Sequence, residues 1–114
     1  MSEKAYTVQI MMHAEEALRE IAFSIAYDLL APEAAVSWAL KTRDAINRLS
    51  SFPSKVPLTP EEPWHSFGVH RMVTGKYYVY FLIIEEESKV RVIDVVLQRK
   101  DQVKHLIGIP LVEN

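Results

Sequence analysis

The 114-residue chain has no cysteine. That excludes disulfides, thiolate zinc sites and cysteine nucleophiles, and it fits a reducing compartment. Glycine is nearly as scarce: three residues, well separated, leave no glycine-rich loop to cradle a phosphate. Neither a nucleophile elbow nor an HExxH helix is present. No apolar run approaches the roughly 20 residues that span a bilayer. The opening MSEKAYTVQI lacks the basic, apolar and small-residue order of a signal peptide, so a cytoplasmic protein is expected. Strong charge of either sign is missing too. The net charge of −2 provides no global footprint for nucleic acid, and binding of that kind has to come from a local patch.

What is present is a core-forming composition, 49% hydrophobic and 25% charged, in a length that supports one domain over residues 1–114. Its centre is Phe67 to Arg99, which reads as a three-stranded antiparallel meander broken at Gly75-Lys76 and at Glu85 to Lys89. The middle piece, Tyr77 to Ile84, is apolar or aromatic throughout, so it should be buried on both faces, since a half-exposed strand would alternate. Ahead of the meander, Tyr6 to Met12 is a candidate strand. From Ala14 a helical period follows, with Ala14, Leu18, Ile21, Ala22, Ile25 and Leu29 on one face. Pro32 and Glu33 open a second helix to about Leu49, with Ala35, Trp38, Ala39, Thr42, Ile46 and Leu49 as its buried stripe.

Ser50 to Ser66 contains Pro53, Pro57, Pro60 and Pro63 and should be irregular yet stiff. It reads most plainly as a crossover pinned by Phe52, Leu58 and Trp64, although its length also suits a functional loop. A short helix over 101–107 and a tail over 108–114 complete the order β-α-α-β-β-β-α. The expected fold class is α+β, a helix hairpin packed on a small twisted, mainly antiparallel sheet. Charge is uneven along it: residues 1–66 hold six Lys/Arg against nine Asp/Glu, and residues 67–107 hold seven against five. The sheet half is mildly basic, which chance scatter of surface charge would also produce.

Several segments in this order resemble the RelE/ParE superfamily, the toxins of bacterial type II toxin–antitoxin pairs, in its plasmid-stabilisation branch. They are Leu30-Ala31-Pro32-Glu33-Ala34-Ala35, Ile46 through Ser51-Phe52-Pro53, Val56-Pro57-Leu58, Gly68-Val69-His70-Arg71-Met72, Tyr77-Tyr78-Val79-Tyr80-Phe81 and Val95-Val96-Leu97-Gln98-Arg99-Lys100-Asp101. The resemblance implies a helix hairpin on a twisted sheet, no cofactor, and a small antitoxin as partner. It implies either RelE-like, ribosome-dependent cleavage of messenger RNA or ParE-like, non-enzymatic inhibition of DNA gyrase. A relic that only binds its antitoxin is a third outcome. The expected assembly is a homodimer or a toxin–antitoxin hetero-oligomer.

Metal-free RNA cleavage needs a group that activates the ribose 2′-hydroxyl, cations for the charged intermediate and an acid for the leaving oxygen. By the resemblance, Arg71 and Arg99 fall at basic positions of RelE-like nucleases, and His105 stands near the place of a C-terminal tyrosine. A histidine there could transfer protons near neutral pH. Lys76, Tyr78, Lys100 and Lys104 are the candidate RNA contacts. Tyr78 departs from the pattern, which has a second arginine there. Both arginines read equally well as strand-edge residues paired with Glu85–Glu87 or Asp101. The tyrosines Tyr77, Tyr78 and Tyr80 could stack on bases, although tyrosines in a central strand are more often core with the hydroxyl at the rim. No metal site is expected of His65 and His70, whose spacing matches no standard ligand geometry.

Overall fold

A computed structural model describes residues 5–98. In chain order it contains β1 (Thr7–Ile10), α1 (Met12–Phe23), α2 (Pro32–Asn47), β2 (His70–Thr74), β3 (Tyr77–Ile84) and β4 (Lys89–Leu97). The four strands form one sheet in the order β1-β4-β3-β2, with β1 parallel to β4 and the other two pairs antiparallel. The expected α+β arrangement is present. The C-terminal helix and tail expected after Asp101 lie outside the described residues.

The helix hairpin covers one face of the sheet. Ala14, Leu18, Ile46 and Leu49 pack with Val79, Phe81, Val90, Val92 and Val95 in a closed apolar cluster. Pro32 occupies the start of α2, where its missing N–H costs no helical hydrogen bond, and Glu33 lies in the first turn, favoured by the helix dipole. Between the helices, Ser24–Asp28 widens into a π turn, in which the Leu29 N–H donates to the Ser24 carbonyl at 3.1 Å. That turn ends the periodic face early. Leu29, expected on the buried stripe, is instead 70% exposed, and Leu30 beside it has φ 52°.

A second cluster, Met11, Trp64, Val69, Tyr80 and Ile93, fills the opposite face. The proline-rich segment is therefore no bare crossover. Residues 59–69 lie over the sheet, and Trp64 is the side chain that seals it. Phe52, expected as a packing anchor, is largely exposed, with its ring under the Lys55 ammonium. Coverage from both sides explains why Val79, Tyr80 and Phe81 have no exposed surface, as an unbroken apolar strand requires.

The β3–β4 register slips once, from Tyr80↔Asp94 to Phe81↔Val92, so Ile93 is the extra residue of a bulge. Simple alternation places Ile93 with Val95. The bulge turns it instead towards Tyr80, while Val92 and Val95 stay on the helix side. At the first meander turn Gly75 has φ 58°, a left-handed conformation that costs a glycine little. Among the described residues no helix is long and apolar enough to cross a membrane.

Candidate functional site

Alternation along β2 sends His70 and Met72 towards the helices and Arg71 to the other face. Arg71 is paired in register with Tyr80 of β3. Its guanidinium lies 4.2 Å from the centre of the Tyr78 ring, a cation–π contact along the neighbouring strand. Nη1 donates to Glu61 Oε2 at 3.0 Å, with side-chain exposures of only 23% for Arg71 and 18% for Glu61. The other Glu61 oxygen accepts the Thr59 hydroxyl. Thr59 itself is buried and tied to the edge of β2, its N–H donating to the Val69 carbonyl at 2.8 Å.

Beneath this pair the Tyr80 hydroxyl is buried, with the Arg71 guanidinium as its polar neighbour. Burial, reinforced by the Glu61 carboxylate, drives its pKa far above the ordinary phenol value, and the Arg71 charge only partly offsets this. Tyr78 and Tyr80 meet edge to face at 6.1 Å. The loop is held from within as well. His65 Nδ1 lies 2.9 Å from the Thr59 carbonyl, and because a carbonyl only accepts, that nitrogen carries the proton. Glu62 accepts both the N–H and the hydroxyl of Ser66 at 3.0 Å, which lowers its pKa.

Of the residues singled out in the sequence, Arg71 and Tyr78 are brought together. Lys76 is exposed in the β2–β3 turn. Arg99, Lys100, Lys104 and His105 lie outside the described residues. Register places the end of β4 at that same turn, since Leu97 pairs with Tyr77 and Tyr77 with Thr74. Arg71 is three residues further along β2, about 10 Å away. His70 points to the helix side, stacked on Phe81 with Nδ1 2.7 Å from the Val56 carbonyl. His13, in the first turn of α1, is 3.3 Å from the fully buried carboxylate of Asp94. Among the described residues no three His, Asp or Glu side chains converge as a metal site would.

Sequence reading missed Glu61 and Thr59, because an ion pair between a loop and a strand ten residues later leaves no periodic signal. The one usable hint was the length of the proline-rich segment.

No family model matches the chain, and no curated protein sequence matches it significantly. Solved structures do. A chain of the chromosomal ParDE TA system from P. aeruginosa superposes with a TM-score of 0.68 at 14% identity, over 84% of this chain and 99% of that one. A chain of the toxin–antitoxin complex RelBE2 from Mycobacterium tuberculosis superposes with a TM-score of 0.56 at 21% identity, over 82% and 99% respectively. The chain thus shares its fold with chains of these two toxin–antitoxin systems, the α+β fold that its sequence resemblance implied.

Proposed function

We propose that this chain is the toxin of a bacterial type II toxin–antitoxin module and that it acts on its target by binding, in the manner of ParE-like inhibitors of DNA gyrase. The state of Arg71 carries this reading. A RelE-like nuclease needs an available cation at this place to stabilise charge on the scissile phosphate. Here the cation is paired with Glu61, and the second arginine of the pattern is Tyr78. Ribosome-dependent cleavage of messenger RNA is the second reading. The aromatic face of Tyr78 beside Arg71, near the exposed Lys76, favours it. It would require Arg71 to exchange Glu61 for a phosphate and would draw on Arg99 and His105. Lys100 and Lys104 would supply further RNA contacts. Both targets are cytoplasmic.

A small antitoxin is the proposed partner, docking across the helix hairpin. Both sheet edges are partly capped: the Tyr6 N–H donates to the Ser50 carbonyl beside β1, and the Arg71 N–H to the Pro57 carbonyl beside β2. The hairpin, in contrast, exposes Phe23, Tyr27, Leu30, Val36 and Leu40.

Expression of the chain alone, with and without the product of the adjacent gene, tests the proposal. Arrested growth with relaxed DNA, an induced DNA-damage response and intact messages is the expected result, relieved by the partner. Truncated messages on translating ribosomes would transfer the assignment to the nuclease reading. Healthy growth at high expression would leave a relic and remove both.

A further inference from the structure

Arg19, Glu20, Phe23, Tyr27 and Asp28 are exposed along α1 and the π turn, with the half-buried Ser24 among them. Arg19, Glu20, Phe23, Ser24 and Asp28 line one open depression. The Phe23 and Tyr27 rings pack on each other at 4.4 Å and present an exposed aromatic surface. The charges around it are unspent. Neither the Arg19 nor the Glu20 side chain takes part in an ion pair among the described residues. The Asp28 carboxylate accepts the Ser24 hydroxyl at 3.0 Å and meets no cation there either. The order of these side chains is its own complement. About a point between Phe23 and Ser24, Arg19 on one side balances Asp28 on the other, and Glu20 balances Tyr27. The π turn helps to build this stripe, since its wider winding brings Asp28 back towards the face that Arg19 occupies.

We propose that this stripe is an isologous interface through which the free chain pairs with a second copy of itself. A two-fold axis between Phe23 and Ser24 sets the two stripes antiparallel. Arg19 then faces the partner's Asp28, and Glu20 faces the partner's Tyr27, whose hydroxyl donates to the carboxylate. Each contact occurs twice. At the axis Phe23 meets the partner's Ser24, the smallest side chain of the stripe, so a ring fits where the helices come closest. The outer pair lies about 7 Å from the axis along each helix, and at a shallow crossing of ~20° the long Arg19 side chain spans the remaining gap. A parallel pairing is opposed, because it sets arginine against arginine at position 19 and aspartate against aspartate at position 28. Phe23 and Tyr27 also belong to the surface offered above to the antitoxin, so the two partners exclude each other. The self-association itself concerns the isolated chain and depends on neither the target nor the antitoxin.

Sedimentation velocity over the micromolar range tests this on the isolated full chain and on charge-reversed variants of it. The wild type should be a monomer–dimer mixture that shifts towards monomer as salt is raised. Arg19→Glu and Asp28→Arg each turn two ion pairs into two repulsions, and each should weaken the dimer roughly tenfold or more. Mixing these two variants should restore the dimer, because each reversed charge meets its opposite on the other chain. The double variant Arg19→Glu/Asp28→Arg should restore it as well. Phe23→Ala, at the axis, should abolish the dimer by itself, which decides the matter where a charge reversal does not fold. A wild type that stays monomeric throughout overturns the proposal. Larger assemblies overturn it too, since a closed two-fold contact cannot build them. So does a dimer that survives Phe23→Ala or both single charge reversals, and so does a mixture that fails to restore one.

Discussion

Removing the Trp64 side chain asks how much the loop over the second face of the sheet contributes to stability. Trp64 is 7% exposed and packs in the cluster with Met11, Val69, Tyr80 and Ile93. Its indole N–H is buried without a partner, so truncation loses apolar contact and no hydrogen bond. Trp64→Ala should therefore cost about 3–5 kcal/mol, the usual range for an aromatic core residue. That is a large part of the roughly 5–15 kcal/mol that holds a domain of this size together. Trp64→Phe refills most of the space and should cost about 1 kcal/mol. Urea denaturation followed by far-ultraviolet circular dichroism measures both. Hydrogen exchange adds a local readout: the Val69 amide, which donates to the Trp64 carbonyl at 3.0 Å, should lose protection first. The helix-side cluster does not include Trp64, so the variant should still unfold cooperatively. A loss below about 1 kcal/mol for Trp64→Ala would refute the reasoning, since a side chain sealing a second core cannot be removed at so small a cost.

Two further perturbations probe backbone strain and a buried phenol. Leu30 has φ 52° and is 84% exposed, so its side chain contributes little packing while its backbone occupies the left-handed region. Leu30→Gly should stabilise the fold by about 1 kcal/mol, and a lower urea midpoint would show that Leu30 is held by contacts after all. Tyr80 ionises far above the ordinary 10.0 because burial disfavours its phenolate. Since the unfolded chain loses that proton first, stability should fall as pH rises above 10, and Tyr80→Phe should flatten the decline. An alkaline transition unchanged in Tyr80→Phe would contradict this.

The two strands flanking Gly75, the second of them the central apolar strand, and the helix that starts at Pro32 were legible in the sequence. Their causes are local: a left-handed turn that suits glycine, an unbroken run that must be buried twice, and a proline that tolerates only the first helical turn. Arg71 was legible as a candidate by resemblance, and the two-residue period of a strand set it opposite to His70 and Met72, without saying which of the two faces the hairpin covers. The tertiary structure alone decided what surrounds it. The Ile93 bulge, which breaks alternation, arises from how β3 and β4 pair, and no pattern within β4 marks it. The exposure of Leu29 depends on a π turn that ends the helical face one turn early. Glu61 meets Arg71, and Trp64 covers Tyr80, only because the proline-rich segment folds back over the sheet. Local periodicity reports which faces are buried, because burial repeats with the backbone. It does not report which loop supplies the cover or which charge it carries, because contacts across the fold leave no period in the chain.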